Sequence, residues 1–189
     1  MLSVIIATHD SERPLVPTLA ALVPGATAGL ISEVIIADAG SRDETAVVAD
    51  VAGCNFLTLE GTSGRRLAAA AAAARAPWLL FLKPGTLLDP PWIGEARRFI
   101  AQPASAQRAA VFRRGTASPS ALRNVVALLA PWASASPEQG LLIAKTLYAT
   151  LGGHAEQAAD AEREFMRRLG RRRTVTLATT AFFPGKILD

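Results

Sequence analysis

The sequence predicts an α/β fold, a three-layer αβα sandwich around a mostly parallel sheet. Three observations carry this: short β-branched apolar runs that do not alternate, helical segments between them, and turns with acids or glycines where the runs end. Strands covered on both faces read as continuous apolar runs, and strands alternating with helices at this spacing form right-handed βαβ units.

Leu2-Ser-Val-Ile-Ile-Ala7 is the first predicted strand. Ser11 is placed to cap the next helix, with Pro14 in its first turn, Leu15, Leu19 and Leu22 on one face, and Pro24-Gly25 as its stop. Glu33-Val-Ile-Ile-Ala37 is a second strand ending at Asp38-Ala-Gly40, and Ser41-Arg-Asp-Glu44 reads as a capping box opening the helix after it. A strand at Phe56–Leu59, a loop through Gly61 and Gly64, a helix over Leu67–Arg75 and a strand at Trp78–Leu82 repeat the pattern. The alanine run 68–74 fits a tightly packed helix. Further on, the pattern predicts helices over Pro91–Ala101, Ser120–Trp132 and, rich in basic residues, Ala155–Leu169. Strands are expected at Ala109–Arg113 and Gly140–Ala144, and Pro103, Pro119, Pro131 and Pro137 punctuate the segment.

A chain of 189 residues, 50% hydrophobic and 19% charged, fits one domain over 1–189 and argues against disorder. Arg75, Arg123 and Lys145 break the apolar stretches before any reaches the roughly 18–20 residues that a membrane span needs. The first eleven residues lack the early positive charge of a signal peptide. Cys54 is the only cysteine, which excludes an internal disulfide, fits a reducing compartment and reads as a buried structural thiol. The expected location is the cytoplasm, with peripheral contact at the inner membrane face as a further option. Residues 1–60 hold two basic and eight acidic side chains, whereas residues 61–189 hold 18 basic and eight acidic. The basic half implies an anionic partner such as a diphosphate or an anionic membrane, or arginines that only solvate helix faces.

A parallel sheet binds ligands beyond the carboxyl ends of its strands. Those ends are Ala7–Glu12, Asp38–Ser41, Glu60–Arg66 and Lys83–Asp89. A carboxylate at Asp38 can accept hydrogen bonds from a nucleobase edge or ribose, and Gly40 admits a ligand close to the backbone. Asp38 and Ser41 can equally serve only to organise the turn. Arg65 or Arg66, near a helix start, can bind a diphosphate.

Ala7-Thr-His-Asp-Ser-Glu12 and Val34-Ile-Ile-Ala-Asp38-Ala-Gly-Ser-Arg-Asp43-Glu-Thr45 resemble the first two strand-end loops of family 2 glycosyltransferases, which have the Rossmann-like GT-A fold. Gly64-Arg-Arg-Leu-Ala-Ala-Ala70, Pro137-Glu-Gln-Gly-Leu-Leu142 and Glu162-Arg-Glu-Phe-Met-Arg-Arg-Leu-Gly170 are similar to later family segments, and the resemblance spans roughly residues 2–175, with small bacterial members the most alike. It implies a nucleotide-binding half at 1–90, an acceptor-side half at 91–189 and a nucleotide-diphosphate sugar as partner, with an unknown hydroxyl acceptor. It places Thr8, Asp10, Glu12, Asp38, Gly40, Ser41, Arg65, Arg66 and Lys83 at the nucleotide.

The chain departs from that family in several places. Ala68 and Glu138 stand where asparagine and aspartate are usual. Lys83-Pro84-Gly85 stands where an Asp-X-Asp element normally holds a divalent metal, and neither lysine nor glycine has a side-chain oxygen to offer. No metal or other cofactor is therefore expected, with Asp89 as one distant ligand if a metal binds. Lys83 can instead supply a fixed positive charge at the phosphates, or simply face solvent in a turn. The family's Glu-Asp pair falls on Ala161-Glu162, which makes Glu162 the first candidate for the catalytic base and Asp160 the second.

His9 and His154 read as loop residues outside any metal cluster, and the Gly-X-Ser-X-Gly, Walker and Gly-X-Gly-X-X-Gly motifs are absent. Three functions remain: sugar transfer with reduced or no metal dependence, nucleotide-sugar binding without turnover, and binding of anionic lipid or nucleic acid through Arg163–Arg173. Nucleic acid is the least expected partner.

Overall fold

Apolar runs without alternation form the centre of the sheet in the computed structural model, which describes residues 1–115 and 136–183. β1 (Leu2–Thr8), β2 (Ile31–Asp38), β3 (Asn55–Thr58) and β4 (Trp78–Leu82) lie parallel, in the order β3-β2-β1-β4. β7 (Leu141–Ala144) adds antiparallel to β4, followed by β6 (Ala109–Gly115), β8 (Thr174–Phe182) and the two-residue β5 (Leu87–Leu88). Six of these eight strands point the same way, so the sheet is mostly parallel.

Side chains alternate across the sheet, and each face is covered by helices. Val4, Ile6, Ile36, Leu80 and Leu82 meet α1 (Glu12–Thr27) and α4 (Trp92–Ala101). Ile5, Ile35, Ala37, Leu79 and Phe81 meet α3 (Ser63–Ala73), α5 (Lys145–Thr150) and α6 (Ala161–Leu169). Burying each such leucine or isoleucine stabilises the fold by roughly 1.5–3 kcal/mol. The alanine run works as expected: Ala70 and Ala71 are buried and let α3 lie close to the sheet. α2 (Thr45–Val51) packs on α1.

Several local expectations need correction. Pro24-Gly25 does not stop α1, which runs to Thr27 with Pro17 and Pro24 inside it, both on its exposed side. Gly25 serves packing instead, since a Cβ there would lie 2.6 Å from the Trp92 ring. Beyond the C-cap Ala28 the chain turns at Gly29, in the left-handed region at φ 69, and Leu30 N–H donates back to the Gly25 carbonyl. Ser11 does not cap α1: its hydroxyl is bound to His9, and Glu12 N–H donates to Asp43 Oδ2 at 2.9 Å. Ser41 likewise caps no helix. α2 starts at Thr45, whose N–H donates to Asp43, while the Ser41 hydroxyl is bound to Asp38. At α1 the carboxylate comes from the neighbouring loop and at α2 from within the same turn, and each makes the stronger, charge-assisted bond.

α3 begins at Ser63, four residues before the expected start, with Thr62 accepting from Arg65 N–H. The basic helix begins only at Ala161, where Asp160 caps it. β5, α5 and β8 are additions to the sequence reading. The helix expected over Ser120–Trp132 lies outside the described residues.

Candidate functional site

Because β1, β2, β3 and β4 run parallel, Thr8, Asp38, Thr58 and Leu82 emerge at one end of the sheet. The loops there are knitted together by side chains that the sequence singled out. Asp10 N–H donates to the Ser41 hydroxyl at 2.8 Å, Arg42 N–H to Asp10 Oδ1 at 2.8 Å, and Ser11 N–H to the Thr45 hydroxyl at 2.9 Å. Asp10 adopts φ 45, a left-handed conformation that aspartate tolerates better than most residues.

Asp38 is the hub. Its Oδ1 accepts from the Thr8 hydroxyl at 2.7 Å and from the Ser41 hydroxyl, and its Oδ2 accepts from Gly40 N–H and Ser41 N–H at 2.8 and 2.7 Å. A carboxylate offers about four acceptor positions, and all are used here within the protein. Burial opposes the charged form, yet the Ser41 bonds, followed by those from Thr8 and Gly40, hold the carboxyl below its ordinary range. Thr8, Gly40 and Ser41 thus meet at Asp38, and Asp10 and Glu12 join through the adjoining loop. Asp38→Ala would orphan four donors and is expected to destabilise the fold by about 1–3 kcal/mol. The sign with pH follows from a folded value below the unfolded one: the Asp38 contribution is complete above the unfolded pKa and is lost as pH falls through the folded value. Thermal unfolding of wild type and variant from about pH 7 down to about pH 3 should therefore show the gap narrowing at the acid end.

The turn after β4 is pinned from the side. Gly85 N–H donates to the Pro14 carbonyl and the Thr18 hydroxyl, both at 2.8 Å, and Thr86 N–H closes onto the Lys83 carbonyl. Gly85 sits at φ 92, where a side chain would strain the turn. Lys83 Nζ lies 3.2 Å from Glu162 Oε2, the two side chains being 34% and 22% exposed. The pair brings together two residues nominated separately and 79 positions apart in sequence. Burial raises the Glu162 carboxyl above its ordinary value, and the Lys83 charge and hydrogen bond only partly offset this.

Glu162 is placed by a close crossing of α3 and the start of α6. A Cβ on Gly64 would lie 2.2 Å from the Ala155 carbonyl oxygen and 2.8 Å from Ala161 Cβ, so only glycine fits. The Thr62 hydroxyl donates to the Glu156 carbonyl at the same crossing. Arg65 is exposed, with its alkyl chain against Gly61, while Arg66 is half-buried and its Nε has no hydrogen-bond partner among the described residues. Asp160 is exposed and accepts from Arg163 N–H as the helix cap, so Glu162 alone of the two base candidates meets the Lys83 turn.

The Lys83 ammonium in the turn has no oxygen to offer a divalent metal, and the carboxylate beside it is that of Glu162 alone of the two base candidates. Asp89 follows β5, where its main chain is tied to Thr180 and Trp92.

Two features escaped the sequence reading. Arg113 and Arg114 end β6 on the site side of the sheet, and Arg114 pairs with Glu138 at 2.7 Å. His154 does lie in a loop, as read, but it is buried: it is 3% exposed, bonded to Tyr148 and packed beside the Glu162 slot. Its neighbours, Gly152-Gly153 in sequence and Phe81, Tyr148 and Phe165 in space, hid its burial. At the opposite end of the sheet Arg108 precedes β6 and Arg171–Arg173 precede β8, gathering positive charge there. No described helix is long and apolar enough to cross a membrane. A cavity of about 430 Å³ between α1 and α2 is lined by aliphatic side chains and Cys54 and offers nothing to a phosphate. Cys54 is half-buried there, and burial pushes its thiol up to about 11, as suits a structural cysteine.

Comparison with known proteins agrees with this geometry. The family described as Glycosyl transferase family 2 matches residues 3–138. The fold is similar to TarS of S. aureus (residues 1–349), with a TM-score of 0.72 and 18% identity over 96% of this chain and 59% of that one. It is also similar to glucosyl-3-phosphoglycerate synthase from Mycobacterium tuberculosis, with a TM-score of 0.73 and 16% identity over 100% of this chain and 73% of that one. A complex of the latter protein with Mn2+, uridine diphosphate and glucosyl-3-phosphoglycerate gives a TM-score of 0.69 at 16% identity, covering 95% and 70%. The chain thus spans about three-fifths of the TarS structure. No curated protein matches the sequence.

Proposed function

The chain belongs to glycosyl transferase family 2, and from that premise we propose that it moves a sugar from a nucleoside-diphosphate sugar to a hydroxyl acceptor without a bound metal. The observation that carries this reading is the contact between Lys83 and Glu162 at the end of β4. Sugar transfer needs two charges at such a place: a cation for the departing diphosphate and a carboxylate for the acceptor proton. Here one turn and one helix start supply both. The acceptor oxygen attacks the anomeric carbon, the bond to the diphosphate breaks, the acceptor proton passes to Glu162, and the charge growing on the leaving phosphate is met by Lys83. The raised pKa of Glu162 brings the carboxyl closer to the operating pH, which suits a general base.

The other candidates take supporting places. Asp38, through the turn it holds with Thr8, Gly40 and Ser41, shapes the seat of the nucleoside beside Asp10 and Glu12. Arg66, whose Nε has no partner among the described residues, and Arg65 reinforce the phosphate end. A uridine nucleotide is the first donor to try, since the structurally similar synthase is bound to uridine diphosphate. Residues 91–189 supply the acceptor side. Nucleotide binding without turnover is the second reading, favoured because Lys83 and Glu162 already neutralise each other.

Release of nucleoside diphosphate from UDP- and GDP-sugars, followed in EDTA with a panel of hydroxyl acceptors, tests the proposal. Turnover in chelator supports it. Binding of the nucleotides with no turnover of any donor leaves the second reading, and no binding at all removes both.

A further inference from the structure

Tyr148 and His154 form a buried pair that the proposed reaction does not use. They are 6% and 3% exposed. Their hydrogen bonds locate the protons. The Tyr148 hydroxyl accepts from the His154 main-chain N–H at 2.9 Å and lies 2.8 Å from His154 Nδ1. The tyrosine proton has no other acceptor among the described residues, so it goes to Nδ1. A neutral imidazole that accepts at Nδ1 carries its own proton on Nε2. The ring does remain neutral, because burial, and then the nearby Arg168 charge, push its pKa down to about 4. Phe81, Tyr148 and Phe165 pack around it at 4.9, 5.5 and 5.0 Å between ring centroids and fix its plane.

The same ring lines a slot of about 10 Å³ with Phe81, Pro137, Leu141, Glu162 and Met166. That is room for about one water. Among the described residues of this lining the only polar side chains are His154 and Glu162, and Nδ1 of His154 is already engaged.

We propose that His154 is the positioning residue for Glu162: held in one tautomer by Tyr148, it presents Nε2–H to the slot and, through one water, orients the Glu162 carboxylate toward the Lys83 turn. The inference deepens the reading of Glu162 as the base and rests on it for its functional meaning. The charged and titratable groups around the pair are Lys83 from the β4 turn, Asp160 at the start of α6, and Arg168, which faces His154. A hydrogen bond donated to a carboxylate favours its charged form. Removing His154 Nε2–H should therefore raise the titration midpoint of Glu162, whereas a ring that only fills space would leave it unmoved.

Carboxyl-carbon NMR of glutamate-labelled protein reads that midpoint, the Glu162 signal being the one missing from Glu162→Gln. His154→Phe keeps the ring and removes both nitrogens, and it should raise the midpoint by about one pH unit. His154→Gln restores an N–H near the Nε2 position and should return the midpoint most of the way. An unchanged midpoint in folded His154→Phe overturns the proposal. Imidazole nitrogen NMR of the wild-type protein decides it independently of any variant: a proton on Nε2 is expected, and a proton on Nδ1 overturns it. Where the wild type transfers sugar, His154→Phe should also lower kcat at neutral pH with KM for the donor held. Absence of transfer in the wild type would defeat the proposed function alone, and the NMR titration would still decide the role of His154.

Discussion

Glu162→Gln is expected to reduce sugar transfer by roughly 10²–10⁴-fold, the usual contribution of a positioned general base. The same substitution should leave the fold intact, since glutamine keeps the shape and the Oε atom facing Lys83 Nζ. Its effect on ligand affinity should run the other way. In the free protein Glu162 Oε2 holds Lys83 Nζ at 3.2 Å and competes with any phosphate for that charge. Neutralising the carboxylate removes the competitor, so nucleoside diphosphate should bind as tightly as before or tighter. Opposite signs for turnover and affinity, measured by steady-state kinetics and by calorimetry, distinguish a base from a residue that merely props the site open. Equal losses in both would place Glu162 in binding alone.

Lys83→Ala carries the second large effect. If the ammonium meets the diphosphate, its loss removes a charge-assisted contact of about 1.5–3 kcal/mol, roughly 10–100-fold in affinity. The loss should shrink as salt screens the charge, and it should be absent for the bare nucleoside. Turnover should fall further than affinity, for two reasons. The leaving group loses its cation, and Glu162 loses the charge and hydrogen bond of Lys83 that pull its pKa down against burial. The base then stays protonated to higher pH, so the acid limb of the pH–rate profile should move upward in the variant. Lys83→Arg, which keeps the charge, should retain part of the affinity.

The sequence made the sheet centre and the ends of its parallel strands legible because both depend on local patterns. Val4–Ala7, Val34–Ala37 and Trp78–Leu82 are continuous apolar runs, and each lies within a strand of the structure. Thr8, Asp38 and Ser41 followed from the strand-end position, and the structure gathers them around one carboxylate. Caps were read less well. Ser11 and Ser41 have the right spacing for capping, but Asp43 reaches the start of α1 from another loop, and within the second turn Asp38 engages the Ser41 hydroxyl while Asp43 receives Thr45 N–H. β8 was missed because Thr174–Phe182 follows three arginines, and its burial alternates rather than running continuously. His154 was missed for a similar reason: a Gly-Gly-His triplet resembles a loop, and only the packing of Phe81, Tyr148 and Phe165 reveals a core site. Lys83 and Glu162 could each be nominated from sequence, but only the chain crossing at Gly64 brings α6 close enough for them to touch.

That pairing implies a site whose fixed positive charge belongs to the protein. Titration of nucleoside diphosphate into the wild-type protein, once in EDTA and once in manganese, tests this most directly. The two affinities should agree within about twofold, and Lys83→Ala should weaken both alike. An affinity that collapses in EDTA, or a Lys83→Ala variant that binds as the wild type does, would contradict the account.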